Sequence, residues 1–114
     1  MTYQPDKRHF VYVGFFTPQA GTEQAGRRPG LVLSPKKFNI ATGLAFVCPV
    51  TTRVKGGGFE VPIKMNSDGV TGAVLCDHLR SVDWLMRNME FKGNCPEEIY
   101  LEVIAKIEAI ILPE

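Results

Sequence analysis

Only one stretch of this chain is patterned as a long helix, which restricts everything before it to short elements. From Pro96 to Leu112, the residues Ile99, Val103, Ile104, Ile107, Ile110 and Ile111 recur at three- and four-residue spacing and form one apolar face. Pro96 suits the first helical position, Glu97 and Glu98 complement the positive end of the helix dipole, and Pro113 stops the element. Upstream, the apolar residues come as short aromatic and β-branched runs bounded by glycine, proline and polar turn residues. Several short strands closed by one helix predict a mostly β chain. The expected architecture is a small, strongly bent β-barrel of about five to seven strands with a C-terminal α-helix.

Taken in order, His9–Phe16 is the first strand signal, ended by Thr17-Pro18. Pro29–Ser34 is the second, and its unbroken Leu31-Val32-Leu33 run predicts burial on both faces. Pro35–Thr42 reads as a connection with one helical turn, stopped at Gly43. Leu44–Thr51 is a third strand, in which Pro49 predicts a bulge or a sheet edge. Arg53–Gly58 is a flexible basic loop, and Phe59–Ile63 alternates like an exposed strand. A turn at Asn66–Gly69 leads to a buried strand at Thr71–Cys76. Asp77–Trp84 is polar and punctuated and predicts a short turn or 3₁₀ segment, and Met89–Lys92 a last short strand.

The 114 residues are read as a single domain over 1–114, with room for one core but not two. A net charge of +1 carries no polyanion signature, so any grip on nucleic acid must come from local clustering. Cys48, Cys76 and Cys95 are odd in number and lack metal-ligand spacing, which argues against a secreted disulfide scaffold. Cys48 and Cys76 lie in apolar runs and are expected to be buried thiols in a reducing cytoplasm. The polar first residues do not read as a signal peptide, and no apolar run approaches the ~18 residues of a membrane span. His9 and His78 are far apart, no carboxylate–histidine cluster has metal spacing, and Gly56–Gly58 lacks the frame of a phosphate loop. No metal or cofactor is therefore expected.

The remaining chemistry lies in two places. The loop from Gly21 holds Glu23, Gln24, Arg27 and Arg28, and Pro29 fixes the backbone directly after the cations. Thr51 and Thr52 end the third strand and open the loop carrying Arg53 and Lys55. If neighbouring strands bring both ends to one rim, an arginine fork and a hydroxyl converge as a phosphate site. Arg53 and Lys55 would add nucleic-acid backbone contacts, and Phe59 or Trp84 a face for base stacking.

At these residues the chain resembles the MazF/PemK family of toxin endoribonucleases. The resemblance runs through Glu23-Gln24-Ala25-Gly26-Arg27-Arg28-Pro29, Leu31-Val32-Leu33-Ser34-Pro35, Asn39 with Thr42-Gly43, and Cys48-Pro49-Val50-Thr51-Thr52. It continues through Lys55-Gly56, Phe59-Glu60-Val61-Pro62, Gly72 to His78 and Arg80 to Trp84 into the closing helix. It implies an SH3-like barrel that works as a homodimer, is blocked by a cognate MazE-like antitoxin, and cuts single-stranded RNA, including mRNA, at a short sequence. The cut it implies is independent of ribosome and metal: the ribose 2′-OH would attack the adjacent phosphate, leaving a 2′,3′-cyclic phosphate and a 5′-OH.

Carried onto this chain, the resemblance makes Arg28, Thr51 and Glu23 the catalytic set, with Asp77 a second candidate for the base. Arg28 would act in proton transfer and phosphorane stabilisation, and Thr51 would hold the scissile phosphate. Gln24, Asn39, Arg53, Lys55, Arg80 and Arg87 would contact RNA. The chain departs from the family pattern at Arg8-His9 in place of Gly-Asp, at Gly57-Gly58 in place of Tyr-Pro, and at Leu85 in place of an arginine. The alternatives are a degenerate homologue that binds RNA or antitoxin without cutting, and a topoisomerase-poisoning toxin on the same barrel. The intact Glu23, Arg28 and Thr51 argue against the first, and the full Glu-Gln-Ala-Gly-x-Arg-Pro loop against the second.

Overall fold

Strands β1 (His9–Val13), β2 (Arg28–Val32) and β3 (Leu44–Thr51) form the centre of the molecule. The computed structural model describes residues 2–14, 28–67 and 69–112. Helix α1 (Lys36–Thr42) links β2 to β3, and β4 (Glu60–Ser67), β5 (Val70–Leu75), a 3₁₀ turn (Cys76–His78), β6 (Arg80–Asp83), β7 (Glu90–Asn94) and α2 (Glu97–Ile111) follow. The strands run antiparallel in the order β4-β5-β3-β2-β1-β7, and β6 pairs with β3 beside β5. The result is a curled half-barrel carrying a C-terminal helix, in agreement with the expected mostly β class.

Strand period explains how both faces of this sheet become apolar. Phe10, Leu31 and Cys48 face one side, and Val11, Val32 and Val47 the other. The first side is covered by α2, through Ile99, Val103 and Ile107. The second is covered by Val82 and Met89, with Tyr3 and Trp84 packed against them. The expectation of a single core is thus corrected: the described residues build two apolar clusters separated by one sheet. The predicted two-sided burial of Leu31–Leu33 holds, since all three side chains are buried.

Several local expectations are corrected. Arg80–Asp83 is a strand paired with Leu44–Val47, and only Cys76–His78 forms the 3₁₀ turn. β6 escapes a sequence reading because Val82 alone among its four residues is buried. Pro49 makes neither a bulge nor an edge. It lies opposite Gly30, in the gap where the other neighbour of β3 changes from β6 to β5. α1 is a seven-residue helix, and Gly43 stops it at a φ of 76°. Pro96 caps α2 instead of beginning it. The buried stripe of α2 is Ile99, Val103 and Ile107, with Ile104 half-buried and packed against the same core, while Ile110 and Ile111 stay exposed.

The N-terminal segment is stitched to this frame. The Asp6 carboxylate accepts the Lys36 N–H at 2.8 Å and so caps α1, which has no cap of its own. Arg8 takes a φ of 72°, a left-handed conformation suited to the glycine of the family pattern. Its guanidinium Nε donates to the Cys95 carbonyl at 3.1 Å, and its own carbonyl accepts the Cys95 N–H at 2.8 Å.

Candidate functional site: two clefts meeting at Thr51

β2 and β3 pair antiparallel through Gly30↔Pro49, Leu31↔Cys48 and Val32↔Val47. Continuing that register by two residues sets Arg28 opposite Thr51 at one end of the sheet. Both line a cleft of about 340 Å³ with Pro29, Val50, Thr52 and Arg53. A second cleft of about 370 Å³ also includes Thr51 and Arg53, and extends to Lys55, Phe59, Glu60, Asp77 and His78. Thr51 and Arg53 therefore belong to both clefts, which form one continuous surface.

The position of Thr51 is set by its neighbours. It ends β3 against Ala73 of β5. Gly72, beside Ala73, has a φ of 115°, and a Cβ there would lie 2.0 Å from the Thr51 carbonyl oxygen. Only glycine lets β5 approach that closely. The Thr51 hydroxyl oxygen accepts the Arg53 N–H at 3.1 Å, closing a turn and leaving the hydroxyl proton as a donor.

Asp77 follows β5 on the 3₁₀ turn, with half its side chain exposed, and its carboxylate lies 3.7 Å from the His78 ring. It shares the second cleft with Thr51. The Glu60 carboxylate accepts the N–H groups of Lys55 and Gly56, so the basic loop is tethered at that point. Phe59 lines the same cleft and is exposed. The Trp84 indole N–H instead donates to the Asn39 carbonyl at 2.9 Å, and its ring packs on the core. Of the two aromatics expected to stack on bases, Phe59 is therefore the one facing the cleft.

The structure thus brings Arg28, Thr51, Arg53, Lys55 and Asp77 to one surface. Glu23, Gln24 and Arg27 lie outside the described residues. Asn39, expected to contact RNA, is corrected to an interior residue. Its side chain is fully buried, its Nδ2 donates to the Pro5 and Ser34 carbonyls, and its Oδ1 accepts the Ser34 hydroxyl. A polar residue in the middle of a short helix does not reveal in sequence whether it points in or out. Arg80 starts β6 and Arg87 sits in the β6–β7 turn, and neither lines the two clefts. The Arg87 carbonyl does lie 4.0 Å from where a Cβ on Gly14 would stand, just beyond the Val13–Arg28 pair. Gly72, Glu60 and His78 were given no role from sequence. Of these, Gly72 had a signal, a glycine inside a β-branched run.

Among the described residues, no group of three or more His, Cys, Asp or Glu is placed to hold a metal ion. No described helix is long and apolar enough to cross a membrane. Cys48, Cys76 and Cys95 are free and buried. Burial pushes the Cys48 and Cys95 thiols up to about 12 and Cys76 up to about 11, so none is suited to act as a nucleophile.

Residues 7–111 match the family model of the PemK-like, MazF-like toxin of type II toxin–antitoxin systems. The chain is 41% identical over 111 residues to the endoribonuclease toxin MazF of Escherichia coli K12, covering 96% of each. It is 35% identical to the endoribonuclease PemK of Escherichia coli, over 92% of this chain and 81% of that one. Its fold superposes on the crystal structure of MazF from Deinococcus radiodurans with a TM-score of 0.85 and 48% identity, covering 96% of this chain and 98% of the other. A MazE–MazF complex from the same organism gives 0.85 at 41% identity, covering 99% and 100%. On sequence and fold together, the chain belongs to the PemK-like, MazF-like family of type II toxins.

Proposed function

We propose that this chain is the toxin of a type II toxin–antitoxin pair and a sequence-specific, ribosome-independent endoribonuclease acting on single-stranded RNA without a metal. The observation that carries this reading is the meeting of Arg28 and Thr51 in one cleft, at matched ends of β2 and β3. The ribose 2′-oxygen attacks the adjacent phosphorus, forming the O2′–P bond as the P–O5′ bond breaks. The 2′-proton passes to a carboxylate, Glu23 or Asp77. The Arg28 fork stabilises the charge of the phosphorane and directs an N–H at the departing 5′-oxygen, which takes up a proton from solvent to leave as the 5′-OH. The Thr51 hydroxyl donates to a phosphate oxygen, and Arg53 and Lys55 hold neighbouring phosphates. Gln24 is proposed to contact RNA, and Arg80 and Arg87 to reach it beyond the two clefts.

The proposed partners are a MazE-like antitoxin, which would cover this surface, and a second copy of the chain. Dimerisation is supported by apolar surface outside both cores. Phe46, Leu79 and Ile111 are exposed and line an apolar groove of about 500 Å³ between β3 and α2. The proposed compartment is the cytoplasm, where the three buried thiols remain reduced.

The test is purified protein with an unstructured RNA in EDTA, mapped by primer extension. Wild type should cut at a defined short sequence, and Arg28→Ala should fold normally and not cut. A fully active Arg28→Ala, or cutting only with added Mg²⁺, refutes the mechanism. Light scattering should give twice the chain mass.

A further inference from the structure

The Arg53–Gly58 loop contains three consecutive glycines, and such a segment cannot hold itself in one conformation. Here it is held from outside. Glu60 is the first residue of β4, paired with Leu75 of β5 and so fixed in the sheet. Its Oε1 accepts the Lys55 N–H at 3.0 Å and the Gly56 N–H at 2.8 Å. Gly56 has a φ of 79°, which lets successive N–H groups converge on one anion, the geometry of a backbone nest. The Glu60 N–H in turn donates to the Gly57 carbonyl at 3.1 Å, closing the loop on itself. Bonds to a carboxylate are stronger than those to a neutral acceptor.

We propose that Glu60 is a positioning residue, a staple that holds the Arg53–Gly58 loop so that Lys55 and Arg53 face the phosphate cleft at Thr51. This rests on the reading of that cleft as the RNA site. A loop that is already ordered loses less entropy when RNA binds, so the staple acts on affinity and leaves the chemical step alone.

The test pairs a measurement on the free protein with kinetics. Trypsin, which cuts after Arg53 and Lys55, should cleave the Glu60→Ala loop about tenfold faster than wild type. The same variant should raise KM for RNA about tenfold with kcat little changed, the signature of lost uniform binding. Glu60→Gln, whose amide oxygen still accepts both N–H groups, should stay close to wild type. In an Arg53→Ala/Lys55→Ala background, Glu60→Ala should add no further rise in KM, whereas a residue needed only for folding would add its full effect. If Glu60→Ala does not fold, Gly56→Ala decides, since open space surrounds that site and only the loop is strained. It should raise KM in the same way, and an unchanged KM overturns the proposal. Wild-type proteolysis and KM in Glu60→Ala also overturn it. So does a lowered KM, which would show the carboxylate competing with phosphate for the nest. If wild type does not cut RNA, the assignment of the cleft fails, while the trypsin measurement still decides whether the staple exists.

Discussion

Arg28 and Thr51 stand two residues beyond the Gly30–Pro49 pair of β2 and β3, and they line the same cleft although 23 positions separate them in sequence. The sheet register brings the two residues to one cleft, and each strand is anchored by a buried residue, Leu31 on one and Val50 on the other. Thr51→Val keeps the shape and removes the donor. It should lower kcat about 10²-fold, the usual order for one oxyanion donor, while Thr51→Ser retains most activity. Arg28→Lys keeps the charge but loses the planar fork and should fall well below wild type. Single-turnover cleavage of a short RNA reads both, and a Thr51→Val enzyme at wild-type rate removes Thr51 from the mechanism.

Asn39 serves stability. Its amide satisfies the Pro5 and Ser34 carbonyls and the Ser34 hydroxyl, all inside the protein. Asn39→Ala leaves those groups unpaired and should cost about 3 kcal/mol, seen as a lower urea midpoint. The fraction that remains folded should cut RNA at the wild-type rate per molecule. A stable Asn39→Ala with weakened RNA binding would restore Asn39 to the substrate surface.

The chain shows its strands more clearly than its site. β3 is legible to the residue, because Leu44–Val50 is an apolar run that starts after Gly43 and ends at Thr51, before a basic loop. β6 is not, because its pairing with β3 is decided by the curl of the sheet and not by its own mostly polar residues. The family resemblance picks out Arg28 and Thr51, but the strand register alone explains why they meet. Asn39 shows the opposite failure. Its place in the pattern suggests function, while its contacts with Pro5 and Ser34 make it a structural tie.

Gly72 is a second residue that positions the site from behind. With its φ of 115° and the Thr51 carbonyl 2.0 Å from any Cβ, an alanine there must push β5 off β3. Because the obstacle is backbone, no rotamer change relieves it. Gly72→Ala should destabilise the fold by about 3 kcal/mol or more and lower kcat in whatever folds, since Thr51 moves with the strand. Gly57→Ala is the control, with no atom within 4 Å of its Cβ position, and should leave stability unchanged. Thermal melts of the two variants side by side separate the close approach from a general intolerance of lost glycine.

His9 gives the fold a pH dependence of defined sign. Its Nδ1 accepts the Tyr3 hydroxyl and, at 3.2 Å, the Asp6 N–H, so the ring is the neutral Nε2–H tautomer. Phe91 packs edge-on at 4.9 Å between ring centroids. Burial holds the His9 pKa below its ordinary value, and the Lys36 charge acts in the same direction, while Asp6 opposes both. The folded state therefore binds fewer protons than the unfolded state just below about pH 6.5, the ordinary histidine value. Stability is then complete above about 6.5 and falls as the pH drops below it, until folded His9 itself takes a proton. Asp6 adds a separate loss at lower pH, because the N–H groups of Lys36 and Lys7 hold its carboxyl below the ordinary value against the effect of burial. The urea midpoint of wild type should therefore drop between pH 7.5 and 5.5. His9→Gln cannot titrate but still offers an acceptor to Tyr3 and Asp6, and should flatten that slope. A wild-type midpoint equal at both pH values would show that the folded state does not hold the His9 pKa below its ordinary value.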